Sequence, residues 1–237
     1  MRLSKFIASS GYASRRKADL LIENGLVIVN SEVCSDFSKD VDNSDEIIVE
    51  STKILIQNPK LWIFNKPRGC LCTSHDPEGR KTIYQILPES YSSLISVGRL
   101  DLNSEGLLLL TNNGELSRYY ELPKNKIVRK YIVDFSGVLK INHIKSLEIG
   151  INIKGIKYGA IQAKVLRKLR QKFTLELILN EGKNREIRNI SRHFSWNVLK
   201  LNRTQYGEFS LNKLKKGEVA EVKIPDDVLD YIESLHK

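Results

Sequence analysis

Residues 98–114, GRLDLNSEGLLLLTNNG, pass from a polar loop into four consecutive leucines, Leu107 to Leu110, and out again into an Asn-Gly turn. A short unbroken apolar run between turn residues is the pattern of a strand buried on both faces of a sheet. Asp101, in the loop just ahead of it, is then a carboxylate held rigidly at the end of a packed element. Further along, Phe173, Leu175, Leu177 and Leu179 alternate with Thr174, Glu176 and Ile178, the period of a strand with one buried face. The helix after it is marked by Ile187, Ile190 and Phe194 on one side, with Arg185, Arg188 and Arg192 as a stripe on the other. Val228, Tyr231, Ile232 and Leu235 predict a closing helix. Strands and helices in mixed order, without internal repeats, predict an α+β fold around a mixed, mainly antiparallel sheet.

The chain has 237 residues, 41% of them hydrophobic, enough for a packed core. No apolar run approaches the roughly 18 to 20 residues that cross a bilayer, and the N-terminus lacks the apolar stretch of a secretory signal, so a cytoplasmic protein without a membrane partner is expected. Cys34, Cys70 and Cys72 are an odd set without zinc-site spacing, and the four histidines are scattered, so neither a metal nor a cofactor is expected. Lysine and arginine outnumber aspartate and glutamate 38 to 28, a net charge of +10 that points to a polyanionic partner. The excess is concentrated. Residues 1–30 carry five basic residues against two acidic, residues 31–58 two against seven, and residues 182–216 nine against two. Two separate basic surfaces imply one extended nucleic-acid ligand touching both.

Residues 1–58 read as a small α/β unit and 59–237 as a larger one, with Ser51 to Pro59 as the linker. Leu3, Phe6 and Ile7 have helical spacing up to Gly11. Ser14 can cap a second helix carrying Ala18, Leu21 and Ile22, which Gly25 stops. Val27 to Asn30 and Ile47 to Glu50 are strand candidates. Arg15, Arg16 and Lys17 fall in the first turn of the second helix, against the helix dipole by about 0.3 to 1 kcal/mol each, a placement that hints at function. A solvated basic turn is the plain alternative.

The segment RLSKFIASSGYASRRKADLLIENGLVIVN resembles the S4-type RNA-binding module, in which two helices present basic side chains to RNA phosphates. On that resemblance Arg2, Lys5, Arg15, Arg16 and Lys17 are RNA contacts. Ser31 stands where that family usually has glycine.

The GRLD loop and the leucine run resemble the catalytic signature of the pseudouridine synthases of the ribosomal small-subunit and large-subunit family, which implies that Asp101 is the catalytic carboxylate. A carboxylate that is buried alone is driven toward its neutral form, so a cation should sit beside it. Asn180 to Arg188, NEGKNREIR, resembles the third signature of the same family and implies that Arg185 is that cation, pointing into a cleft while Arg188 and Arg192 face solvent or phosphate. By spacing alone Arg185 fits the solvated stripe equally well. RKYIV at 129–133 resembles the segment whose tyrosine stacks on the target base, which implies that role for Tyr131; periodicity alone leaves it in the core with Val133 and Phe135. NKPRG at 65–69 resembles the first signature and reads as a turn shaping the site wall. Arg99 either fills the gap left by a flipped uridine or clamps a phosphate. Lys183, Arg188 and Arg203 are further expected RNA contacts.

The resemblance implies an enzyme that isomerises a specific uridine to pseudouridine in ribosomal RNA, by base flipping and an aspartate catalyst. It would work as a monomer on ribosomal RNA or an assembly intermediate. Glu186 in NREIR, with the RKY and TQYGE segments, leans to the large-subunit branch. A non-catalytic ribosome-assembly RNA-binding protein is the main alternative, though a pure binder has no need of an acid in a cationic cleft. A metal-dependent nuclease would need a carboxylate cluster that the sequence lacks.

Overall fold

The computed structural model describes residues 1–235. Ser14 accepts the Lys17 N–H and caps the second of two short helices, α1 (Leu3–Ser9) and α2 (Arg15–Glu23), each followed by a glycine of positive φ, Gly11 and Gly25. Then come β1 (Val27–Val29), β2 (Glu32–Val33), β3 (Ile47–Val49) and β4 (Thr52–Ile54), an antiparallel sheet in the order β2-β1-β3-β4. Both hairpins turn through two residues of positive φ, Asn30-Ser31 and Glu50-Ser51, the turn whose twist matches that of the strands. Serine thus adopts at 31 the conformation that glycine favours. Leu3, Ile7 and Ile22 pack on Val27, Ile47 and Val49 as one core. The expected linker at Ser51 to Pro59 is corrected: Thr52–Ile54 is a strand, because Ile54 completes this core, and the connection is residues 55–60.

The larger unit begins with β5 (Leu61–Lys66), β6 (Ile95–Val97) and β7 (Glu105–Thr111), then α3 (Gly114–Glu121), β8 (Arg129–Ser136) and α4 (Ile141–Ile149). A hairpin of β9 (Ile151–Ile153) and β10 (Ile156–Tyr158) leads to β11 (Gln162–Lys168), β12 (Lys172–Leu179) and α5 (Glu186–His193). The chain closes with β13 (Asn197–Tyr206), β14 (Phe209–Ser210), β15 (Val219–Val222) and α6 (Asp226–Ser234). The main sheet has the order β11-β12-β8-β13-β7-β5-β15, with β14 on β13 and β6 on β7. Among the described residues its pairings are antiparallel except that of β7 with β13.

All seven residues of β7 are buried, because the strand is covered on both faces. Leu108 and Leu110 join Trp62, Phe64, Leu147 of α4 and Ile187 of α5 in one core, while Leu107 and Leu109 join Leu116 of α3 and Val228 and Ile232 of α6 in the other. On β12 the predicted alternation holds, Phe173, Leu175, Leu177 and Leu179 being buried. Leu235, expected on the closing helix, lies just past its end and is exposed. Among the described residues no helix is long and apolar enough to cross a membrane.

The crossing of β7 and β13 leaves no room for a side chain. Gly106 has φ +107°, and a Cβ there would lie 2.3 Å from Arg203 O and from Asn202 Oδ1. Across from Gly106 on β5, Lys66 is fully buried, and its Nζ donates to Ser104 O at 3.0 Å, Pro67 O at 3.2 Å and Asp101 O at 3.4 Å. The three donors of an ammonium thereby meet three carbonyls and pin the loop that carries Asp101. The small unit attaches at the other end of β7. Lys5 pairs with Glu115, Asn112 donates to Asn58 O at 2.9 Å and accepts from Lys60 N at 2.8 Å, and Gln57 donates to Ser10 O at 3.0 Å.

Gly106→Ala should destabilise the protein by about 3 kcal/mol, combining overpacking with a backbone conformation hostile to a Cβ. Guanidinium denaturation is the measurement, and the midpoint should fall while the slope stays constant.

Candidate active site

A cleft of about 350 Å³ opens where loop 98–104, the start of β8, the turn after β12, the start of α5 and the middle of β13 converge. Its wall includes Asp101, Tyr131 and Arg185, and with them Arg99, Lys183, Arg188 and Arg203. Asp101 Oδ2 lies 3.6 Å from Arg185 Nη1 and 3.4 Å from Arg188 Nε, with the Asp101 side chain 24% exposed. The Arg188 pair has ion-pair distance without the alignment of a hydrogen bond. Arg188 Nη2 donates instead to Asn103 O at 3.0 Å and Ser104 Oγ at 3.1 Å, tying α5 to the Asp101 loop. Burial pulls the Arg188 pKa below its ordinary value and Asp101 opposes the shift.

Arg188 thus corrects the expected stripe. Ile187 and Ile190 pack into the core and fix the rotation of α5, which turns Arg188 inward and leaves Arg192 exposed. Arg185 precedes α5 in a left-handed conformation, φ 51°, and reaches Asp101 from the rim, its side chain 49% exposed.

Tyr131 is at once core and cleft. It continues the buried row of Val133 and Phe135 on β8 and is the member of that row that lines the opening. Arg203, expected as an RNA contact, lines the cleft but is 3% exposed, because β13 is an interior strand. Its Nε donates to Leu107 O at 2.7 Å, its guanidinium lies over the Tyr206 ring at 4.6 Å, and its Nη2 has no partner among the described residues. Arg129 lies over the same ring at 4.8 Å and donates to Tyr206 Oη at 3.1 Å. Lys183, another expected contact, is committed to Glu181 and to Lys157 O, each at 2.6 Å. Arg99 is exposed at the rim.

The remaining named cations lie away from the cleft, on the small unit. Arg2, Arg15, Arg16 and Lys17 are exposed without an ion-pair partner among the described residues. Lys5, also expected as an RNA contact, pairs with Glu115 of α3.

Two cleft acids carry no signal in the sequence as a pair. Burial and the adjacent Glu181 push Glu186 up to about 8. Burial alone would raise Glu181, but the Gly159 N–H, Lys183 and Glu186 outweigh it and hold Glu181 below the ordinary carboxylate value. Among the described residues no cluster of three or more His, Cys, Asp or Glu side chains is arranged to hold a metal. The arrangement offers one carboxylate between two guanidiniums, facing an opening walled by an aromatic ring, chemistry suited to a nucleophile acting beside a planar, anionic ligand.

Residues 60–196 match the family described as RNA pseudouridylate synthase, and residues 1–47 match the S4 domain. The chain is 46% identical over 226 residues to an uncharacterized RNA pseudouridine synthase of Rickettsia bellii, covering 93% of this chain and 96% of that protein. It is 34% identical over 223 residues to the ribosomal large subunit pseudouridine synthase B of Bacillus subtilis, covering 93% and 91%. A solved structure described as a pseudouridylate synthase superposes with a TM-score of 0.68 at 27% identity, covering 99% of each chain. With the cleft geometry, the mixed sheet and matches of this extent in agreement, the chain belongs to the RNA pseudouridylate synthase family and carries an S4 domain ahead of its synthase domain.

Proposed function

We propose that the protein isomerises a specific uridine of large-subunit ribosomal RNA, with the base turned out of its stack and Asp101 as the catalytic carboxylate. The observation that carries this reading is the ion pairing of one cleft carboxylate, Asp101, with both Arg185 and Arg188. The reaction breaks the bond from ribose C1′ to uracil N1 and forms one from C1′ to C5; C5 loses its proton and N1 gains one, so nothing is oxidised or reduced. Asp101 acts at the junction of ribose and base, its carboxylate paired with the two guanidiniums. The Tyr131 ring holds the detached uracil by stacking. The large-subunit target is supported by the name of the Bacillus subtilis relative, which matches over both parts of the chain. Residues 1–58 supply affinity and residues 59–237 chemistry. Mapping pseudouridines in ribosomal RNA from cells with and without the protein tests the reading; an unchanged map of large-subunit RNA would overturn the target.

Asp101→Asn keeps the shape of the side chain and removes its charge and nucleophilicity. RNA binding should stay within about threefold of wild type while release of tritium from C5 of labelled uridine falls by at least about a thousandfold. Activity within tenfold of wild type would remove Asp101 from the chemistry.

For Tyr131, phenylalanine should retain most affinity for RNA containing 5-fluorouridine, and leucine should lose about 1 to 3 kcal/mol of stacking. If both variants react at the wild-type rate in single turnovers, with unchanged melting, Tyr131 is core alone.

Replacing Arg15 and Arg16 by alanine should weaken RNA binding and flatten the plot of log affinity against log salt by about 0.7 to 0.9 for each phosphate that is no longer neutralised. An unchanged slope at unchanged affinity would return both to a solvated turn.

A further inference from the structure

Glu186 lies in the first turn of α5 and is 4% exposed. Its Oε2 accepts the Lys183 N–H at 3.1 Å, whereas its Oε1 meets no N–H donor among the described residues. Glu181 lines the same side of the cleft, and Lys183 bridges the two acids, its backbone N–H on Glu186 and its Nζ on Glu181 at 2.6 Å; Glu181 also accepts from Gly159 N at 2.7 Å. Two carboxylates meeting out of water repel each other unless a proton lies between them. Because Glu181 is already supplied with donors, the proton belongs on Glu186, and its O–H then donates to Glu181. That bond closes the 181–186 turn, already crossed by the contact of Lys183 N with Glu186. Arg185 sits inside the turn at φ 51°, a conformation that a residue with a Cβ keeps only where its surroundings impose it.

We propose that Glu186 is a positioning residue: its carboxyl, sharing a proton with Glu181, locks the turn that holds Arg185 in reach of Asp101. The inference rests on the proposed roles of Asp101 and Arg185. Other charged or titratable groups around the pair are Lys183 from the turn itself, Arg129 of β8 against Gly182, Tyr158 of β10 beside Lys183, and Arg185, Arg188 and Asp101 across the cleft. Burial, with the Glu181 carboxyl beside it, pushes Glu186 up to about 8, which favours its protonated form at neutral pH. Since this folded-state value lies above the ordinary carboxylate range, the stability that the proton contributes is complete in acid and is lost as pH rises through about 8.

The test uses the full chain and Glu186→Gln, which offers the same acceptor to Lys183 N and a permanent N–H donor to Glu181. In wild type, kcat on an unmodified ribosomal RNA transcript should fall about tenfold between pH 7 and pH 9, as the proton leaves near pH 8. Glu186→Gln should hold kcat within about twofold across that range, and Glu186→Ala, with no donor, should be slow throughout. Two readouts need no RNA turnover: the thermal midpoint against pH, and the Arg185 side-chain Nε–H resonance of the free protein, identified with Arg185→Lys. Both should move between pH 7 and 9 in wild type and stay level in the glutamine variant. The proposal is overturned by an alkaline loss common to wild type and Glu186→Gln, or by an Arg185 resonance indifferent to pH in wild type. If the midpoints differ as expected while the resonance does not, the pair holds its proton without positioning Arg185, and the proposal also fails. Absence of turnover on ribosomal RNA would count against the proposed function, while the melting and resonance arms still decide the role of Glu186.

Discussion

A carboxylate drawn partly out of water must have its lost hydration replaced by other polar partners. At Asp101 the replacement comes from Arg185 and Arg188, with Lys66 holding the backbone beneath through three carbonyls. Each of these cations is delivered by a different element, the turn before α5, α5 itself and the end of β5, so the charge balance of one side chain depends on the packing of half the sheet. The positive charge exceeds what Asp101 requires. Arg129 and Arg203 are buried beside Tyr206 with no carboxylate partner among the described residues, and the cleft they line is electropositive for that reason. A polyanion arriving at such an opening meets charges whose desolvation was already offset during folding.

The same packing sets the backbone. With β7 covered on both faces and crossing β13 in parallel, a side chain at position 106 would strike Arg203 O. Glycine there lets β13 come near enough for Arg203 Nε to donate to Leu107 O, and that bond keeps Arg203 below the cleft instead of in solvent. Close approach of two strands is therefore what distributes the cations between the floor and the rim of the site.

Patterns that depend on immediate neighbours were legible in the sequence. The leucines of β7, the alternation of β12 and the apolar face of α5 each report their own burial, and the Ser14 cap is a local hydrogen bond. What could not be read depends on partners distant in sequence. β2 and β4 are two and three residues long with mostly exposed side chains, so they exist only through pairing with β1 and β3. The inward turn of Arg188 follows from how Ile187 and Ile190 seat α5, which a helical stripe of arginines cannot reveal. Burial of Lys66 runs against the habit of lysine and was masked by a Lys-Pro pair that reads as a turn. Glu181 and Glu186 sit on different elements, and only the curl of the chain between them brings their carboxyls together.

The strand β7 also acts as a gauge. One end carries the Asp101 loop, while the other is clasped by Lys5, Gln57 and Asn58 through Asn112 and Glu115. Seven residues of extended chain, rigid because they are buried on both faces, separate the two by roughly 20 Å. An RNA that rests on the small unit and also enters the cleft has to span that interval, and neither end of the strand can slide to shorten it. Under the function proposed above, that fixed interval would set how far the modified nucleotide stands from the part of the RNA held by the small unit.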